Sequence, residues 1–67
     1  MMRIHVNGQE RQFETPMTLT KLVASFQLDP RHVAVEINEQ LVPRNRHEST
    51  ALQDGDRVEI VTLVGGG

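Results

Sequence analysis

Asp54-Gly55-Asp56-Arg57-Val58-Glu59-Ile60-Val61-Thr62-Leu63-Val64-Gly65-Gly66-Gly67 is the stretch on which the reading of this chain turns. Asp-Gly-Asp is turn chemistry, since the carboxylates bond nearby backbone and glycine accepts φ > 0. From Arg57 to Val64 the side chains alternate with the period of a strand. Arg57, Glu59, Val61 and Leu63 share one face, and Val58, Ile60, Thr62 and Val64 the other. The charged pair marks the first face as solvent-facing and assigns Val58 and Ile60 to the core. Single exposed apolar residues are ordinary. Val61 and Leu63 together on an outer face, with Val64 and a glycine run directly after them, point instead to a docking patch. The glycines leave two readings open: a frayed end, or a carboxyl group kept free of side chains so that it can enter another protein's site.

Upstream, Met2-Arg3-Ile4-His5-Val6 alternates as a half-buried strand, and Asn7-Gly8 is a hairpin turn of the type that needs φ > 0 at both central positions. Gln9 to Glu14 returns as the second strand. That register sets Ile4 opposite Arg11 and Met2 opposite Phe13, so a cation falls on the apolar face of what must be an edge strand. Thr18 is the N-cap of a helix whose Leu19, Leu22, Val23 and Phe26 form one stripe. Asp29-Pro30 is expected to close it. Val33 to Asn38 reads as a third strand, Glu39-Gln40 as a turn and Leu41-Val42 as a short fourth strand stopped by Pro43. Arg44 to Thr50 is polar and aperiodic, a loop with room for one helical turn, and Leu52 is a core anchor. One helix laid on one sheet, in the order β-β-α-β-β-β, predicts an α+β domain over residues 1–64 with a flexible glycine tail at 65–67.

Composition narrows the function classes. The 67 residues include no cysteine, which excludes disulfides, thiolate metal sites and cysteine nucleophiles. The apolar runs are too short to span a bilayer, and no signal-peptide core follows Met1-Met2-Arg3, so a cytoplasmic chain without a membrane partner is expected. A net charge of −2 and two phenylalanines, with no Trp or Tyr, leave neither the basic footprint nor the stacking surface that nucleic-acid binding uses. His5, His32 and His47 are far apart in sequence and read as surface or strand-rim residues. Asp54, Asp56 and Glu59 read as turn and strand residues, and no serine or threonine sits in a nucleophile pattern. The chain is therefore expected not to be an enzyme.

The element order is also that of the ubiquitin-like β-grasp, and four stretches resemble the thiamin-biosynthesis sulfur carrier family ThiS along nearly the whole chain. Val35-Glu36-Ile37-Asn38 with Leu41-Val42-Pro43-Arg44 is similar to the family's strand and Val-Pro-Arg segment. Leu52 to Ile60 is similar to its Leu-x-Asp-Gly-Asp-x-Val-Glu-Ile run. Thr18-Leu19 with Leu22-Val23 fits the Thr-capped helix, and Val64-Gly65-Gly66-Gly67 the glycine end. His47 stands where many members carry an aromatic residue. The resemblance implies that the first and last strands lie side by side and parallel at the sheet centre. It implies also that the chain is a cosubstrate with no bound cofactor of its own. A ThiF-like adenylating enzyme would use ATP and Mg to activate the Gly67 carboxylate. A sulfur donor such as a cysteine desulfurase would convert it to a thiocarboxylate, and the sulfur would pass to the thiazole synthase ThiG. Gly65 and Gly66 would thread the partner sites, while Val61, Leu63 and Val64 dock.

Three other readings compete. The small subunit of molybdopterin synthase shares the fold and the thiocarboxylate, but its Pro-Pro-x-x-Gly-Gly ending differs from Val61-Thr62-Leu63-Val64. A protein modifier would use the same carboxyl to form isopeptide bonds. A purely binding β-grasp module has no use for a terminal Gly-Gly, and an isolated chain ending there argues against it.

Overall fold

The computed structural model describes residues 1–14 and 16–63. Five strands form one mixed sheet: β1 (Met2–Val6), β2 (Gln9–Phe13), β3 (Val33–Ile37), β4 (Gln40–Val42) and β5 (Arg57–Thr62), in the order β2-β1-β5-β3-β4. One helix, α1 (Leu19–Ser25), packs on one face, and short 3-10 turns occupy Pro30–His32 and Arg44–Arg46. β1 and β5 are parallel neighbours, with His5 beside Arg57 and Val6 beside Val58. The other pairings are antiparallel.

The alternation read from the sequence decides which face is covered. Ile4 and Val6 of β1, Val33 and Val35 of β3, and Val58 and Ile60 of β5 are buried against Leu19, Leu22 and Val23 of α1, with Leu52 closing the core from the loop side. Sequestering these side chains is the main stabilising term of so small a domain, at about 25 cal/mol per Å² of apolar surface. The β1–β2 register matches expectation, with Val6 opposite Gln9, Ile4 opposite Arg11 and Met2 opposite Phe13.

Several boundaries differ. The helix ends at Ser25, not at Asp29-Pro30. The N–H of Gln27 donates to the Ala24 carbonyl and that of Leu28 to the Val23 carbonyl, with Gln27 at φ 60°. This is the paired 5→2 and 6→1 bonding that terminates a helix through a left-handed residue. Asp29 instead caps the Pro30–His32 turn, accepting from the Arg31 N–H. The β3–β4 turn is Asn38-Glu39, both at positive φ, and not Glu39-Gln40. The last strand ends at Thr62. Leu63, expected to continue the strand, lies just past it, and Val64 and the expected domain boundary at 64/65 lie outside the described residues.

The polar stretch 44–50 is a structural strap. A helix start leaves its first N–H groups without intrahelical partners. Here Thr50 and His47 carbonyls accept from Leu19 and Thr20, and the Thr18 Oγ1 accepts from Lys21. His47 is buried, at 3% exposure, and its Nε2 donates to the Val42 carbonyl at 3.0 Å. The expectation of a surface or rim histidine is therefore wrong for His47: a helix that needs carbonyls at its start draws this loop inward. His5 and His32 are exposed, as expected.

Candidate functional site

On the sheet face away from α1, cross-strand pairs place Ala34 beside Val61, Glu36 beside both Leu41 and Glu59, and His5 beside Arg57. Val61 and Leu63, singled out from the sequence, are 55% and 54% exposed and follow one another at alternate positions. Leu63 is the first residue past β5, and its N–H donates to the His32 carbonyl at 2.7 Å, so its backbone is still tied to the start of β3. Val64, Gly65, Gly66 and Gly67, the other residues assigned to docking, threading and sulfur chemistry, lie outside the described residues.

Leu41, on β4, is 65% exposed and adds apolar surface to the face carrying Val61. Sequence reading did not single it out. Only the structure shows it: Val42 is partly buried against the core and so turns its neighbour outward. Glu36 and Glu59 stand opposite one another, a like-charge pair that an isolated sheet does not favour. Apolar side chains set beside acidic ones that form no ion pair among the described residues are suited to docking another protein.

The carboxylates of Asp29, Asp54 and Asp56 are committed elsewhere. Asp54 Oδ1 accepts from the Arg3 N–H at 2.7 Å, Asp56 Oδ2 from Gln53 at 2.8 Å, and Asp56 Oδ1 from the Asn38 carboxamide at 3.1 Å. The Asp54-Gly55-Asp56 turn is thus more than local chemistry, because it ties the entry of β5 to β1 and to the β3–β4 turn. Asp29 is half-buried at the cap of the Pro30–His32 turn, where hydrogen bonds from Arg31 hold its carboxyl well below the usual carboxylate range. His32 Nδ1 lies 3.9 Å from the same carboxylate. Among the described residues no group of three or more His, Asp or Glu side chains could hold a metal ion, and no helix is long and apolar enough to cross a membrane.

Comparison with known proteins gives this geometry its context. The model of the ThiS family matches residues 4–67. The chain is 35% identical to the sulfur carrier protein ThiS of Bacillus subtilis, with 96% of this chain and 98% of that one aligned. It is likewise 35% identical to the sulfur carrier protein ThiS of Escherichia coli, over 98% of this chain and all of that one. It is also 42% identical to a thiazole synthase of Paramagnetospirillum magneticum over 98% of its own length, but spans only 20% of that protein. A thiamine biosynthesis protein (ThiS) from Geobacter metallireducens superposes with a TM-score of 0.83 at 29% identity, covering 98% of this chain and all of that one. The expected β-grasp arrangement agrees with this neighbour: one helix on a five-stranded mixed sheet, with the first and last strands parallel at its centre.

Proposed function

Because the chain belongs to the ThiS family, we propose that it is a sulfur carrier of thiamin biosynthesis, a protein cosubstrate whose Gly67 carboxylate is activated, converted to a thiocarboxylate and used as a sulfur source by a thiazole synthase. The observation that carries this reading is a family match that runs through the glycines, over residues 4–67. The similarity to the Bacillus subtilis and Escherichia coli sulfur carriers supports the carrier role. The similarity to two thiazole synthases supports such an enzyme as the acceptor.

A carboxylate is a poor electrophile because it has no good leaving group. In a ThiF-like partner, which supplies the MgATP site, a Gly67 carboxylate oxygen attacks the α-phosphorus of ATP and pyrophosphate leaves. The acyl-adenylate then loses AMP either to sulfide, which gives the thiocarboxylate directly, or to the terminal sulfur of a persulfide donor such as a cysteine desulfurase. The persulfide gives an acyl disulfide whose S–S bond a second thiol cleaves, leaving the thiocarboxylate and a disulfide. This chain contributes the carboxylate and the access to it. Gly65 and Gly66 have no Cβ to obstruct a narrow channel, and reacting atoms must come within about 3–3.5 Å. Val61, Leu63 and Val64 are the handle by which partners hold the domain while the glycines enter.

Incubation with MgATP, a ThiF-like enzyme and sulfide, followed by intact-mass measurement, is expected to show one oxygen replaced by sulfur, localised to Gly67. A chain that gains no sulfur with any such enzyme would overturn the reading. A variant lacking Gly67 still ends in Gly-Gly and is expected to fold. It should be adenylated poorly, because its carboxyl stops short by one residue, about 3.3–3.6 Å. Undiminished adenylation of that variant would show that reach is not the constraint.

A further inference from the structure

β1 ends at Val6, yet its pairing with β5 continues by one more rung. Along the shared length the two strands form a parallel ladder, in which the His5 N–H donates to the Asp56 carbonyl and the Asn7 N–H to the Val58 carbonyl, both at 2.9 Å. The main chain then leaves the sheet through Asn7 and Gly8, at φ 51° and 82°. A β1 that ran on would offer Ile60 a carbonyl for its N–H and an N–H for its carbonyl. The Asn7 side chain supplies both. Its Oδ1 accepts from the Ile60 N–H at 2.8 Å, and its Nδ2 donates to the Ile60 carbonyl at 3.2 Å. A carboxamide carries the same donor and acceptor as a peptide unit, so the side chain replaces the missing stretch of backbone.

On its other side β5 is held by β3, with Ile60 beside Val35, Val61 beside Ala34 and Thr62 beside Val33. Toward β1, past Val58, the Asn7 carboxamide is the bond that Ile60 makes. We propose that Asn7 is a positioning residue for partner recognition, a latch that keeps the far end of β5 flat in the sheet and so offers Val61 and Leu63 at a fixed place. This rests on the reading of Val61 and Leu63 as docking residues. The turn by itself does not demand asparagine, since glycine would satisfy φ 51° at least as well. Aspartate would tolerate the turn but has no donor for the Ile60 carbonyl.

Asn7→Gly keeps a turn-compatible backbone and removes the latch. Asn7→Asp keeps the shape and sets a carboxylate oxygen against the Ile60 carbonyl. In the free chain, amide hydrogen exchange at Ile60 is expected to quicken by about tenfold relative to Val58 in Asn7→Gly, the effect of losing roughly one hydrogen bond. In steady-state adenylation by a ThiF-like enzyme with MgATP, at a temperature where every variant is folded, both substitutions should raise KM for the carrier about three- to tenfold with kcat unchanged. That is the pattern of lost binding rather than lost chemistry.

Exchange at Ile60 that quickens no more than at Val58 would mean a general loss of stability and would overturn the latch. Unchanged KM in both variants, with a normally adenylated wild type, would overturn its positioning role while leaving the carrier reading intact. A wild-type chain that no ThiF-like enzyme adenylates would overturn the carrier reading, and the docking role of Asn7 with it. The Ile60 exchange measurement on the free chain would still decide whether the latch exists.

Discussion

Arg11 occupies a core-facing position of β2, opposite Ile4, and its guanidinium carbon lies 5.0 Å from the centre of the Phe26 ring. The cation therefore keeps its head at the rim and uses the aromatic face as a lid, an interaction of about 0.5–1 kcal/mol at an exposed site. The last aromatic of the helix stripe and the misfit of the edge strand resolve one another. His47 is the more consequential side chain. Its Nε2 donates to Val42, and its own carbonyl accepts from Thr20 and Thr50, so it joins the end of β4 to the start of α1. Its Nδ1 is buried with no hydrogen-bond partner among the described residues. His47→Ala would strand the Val42 carbonyl and loosen the strap, for an expected loss of about 1–3 kcal/mol, to be read from the shift in urea midpoint. A midpoint within error of wild type would show that the ring does not anchor the strap.

At the scale of elements, β5 is the member shared by the core and the proposed docking surface. Val58 and Ile60 are buried beneath it, while Val61, like Leu63 just past the strand, is more than half exposed. The two roles can therefore be separated by mutation. Val61→Asp combined with Leu63→Asp is expected to leave the thermal midpoint nearly unchanged, since exposed positions usually alter stability by no more than about 0.5 kcal/mol. The same change should weaken binding to a ThiF-like enzyme at least tenfold, the effect of losing about 1.4 kcal/mol at an interface anchor. Titration calorimetry showing wild-type affinity would remove these residues from the interface. β1, β3 and β5 were legible because each is long enough for alternation to show and has one face buried, and β2, exposed except at its Phe13 end, was legible from the Asn7-Gly8 turn before it. The helix end was not, because its left-handed residue is Gln27, where glycine or asparagine is the usual signal. The β3–β4 turn was misplaced by one residue for a similar reason, since Glu39 at φ 70° is no turn signature. Val61 and Leu63 could be read from parity alone. Leu41 and the Asn7 latch could not: β4 has three residues, too few for a period, and the latch exists only once β5 lies beside β1.

At the scale of the whole molecule, the parallel β1–β5 pair joins the beginning and end of the chain through the sheet centre, a long-range pairing that alternation cannot reveal and that came from family resemblance. Ile4, Val6, Val58 and Ile60 make these two strands the floor on which Leu19, Leu22 and Val23 sit. Parallel pairing also fixes where Met2 and Leu63 lie relative to one another. Met2 begins β1 level with the Asp54 turn, where the Gly55 N–H donates to the Arg3 carbonyl, whereas β5 runs on in the same direction to Leu63. At ~3.3 Å per residue the two positions are about 30 Å apart along the strand direction. On the proposed function the Met2 side is therefore a rear, remote from the Leu63 side that partners would meet. An affinity tag joined ahead of Met1 should leave the kinetics of sulfur loading unchanged. A single alanine added after Gly67 should abolish it on the proposed mechanism, because the Gly67 carboxyl would become a peptide bond and the new terminal carboxylate would sit one residue farther on, beside a Cβ. For anyone immobilising or labelling this protein, the rear is the place to attach the tether.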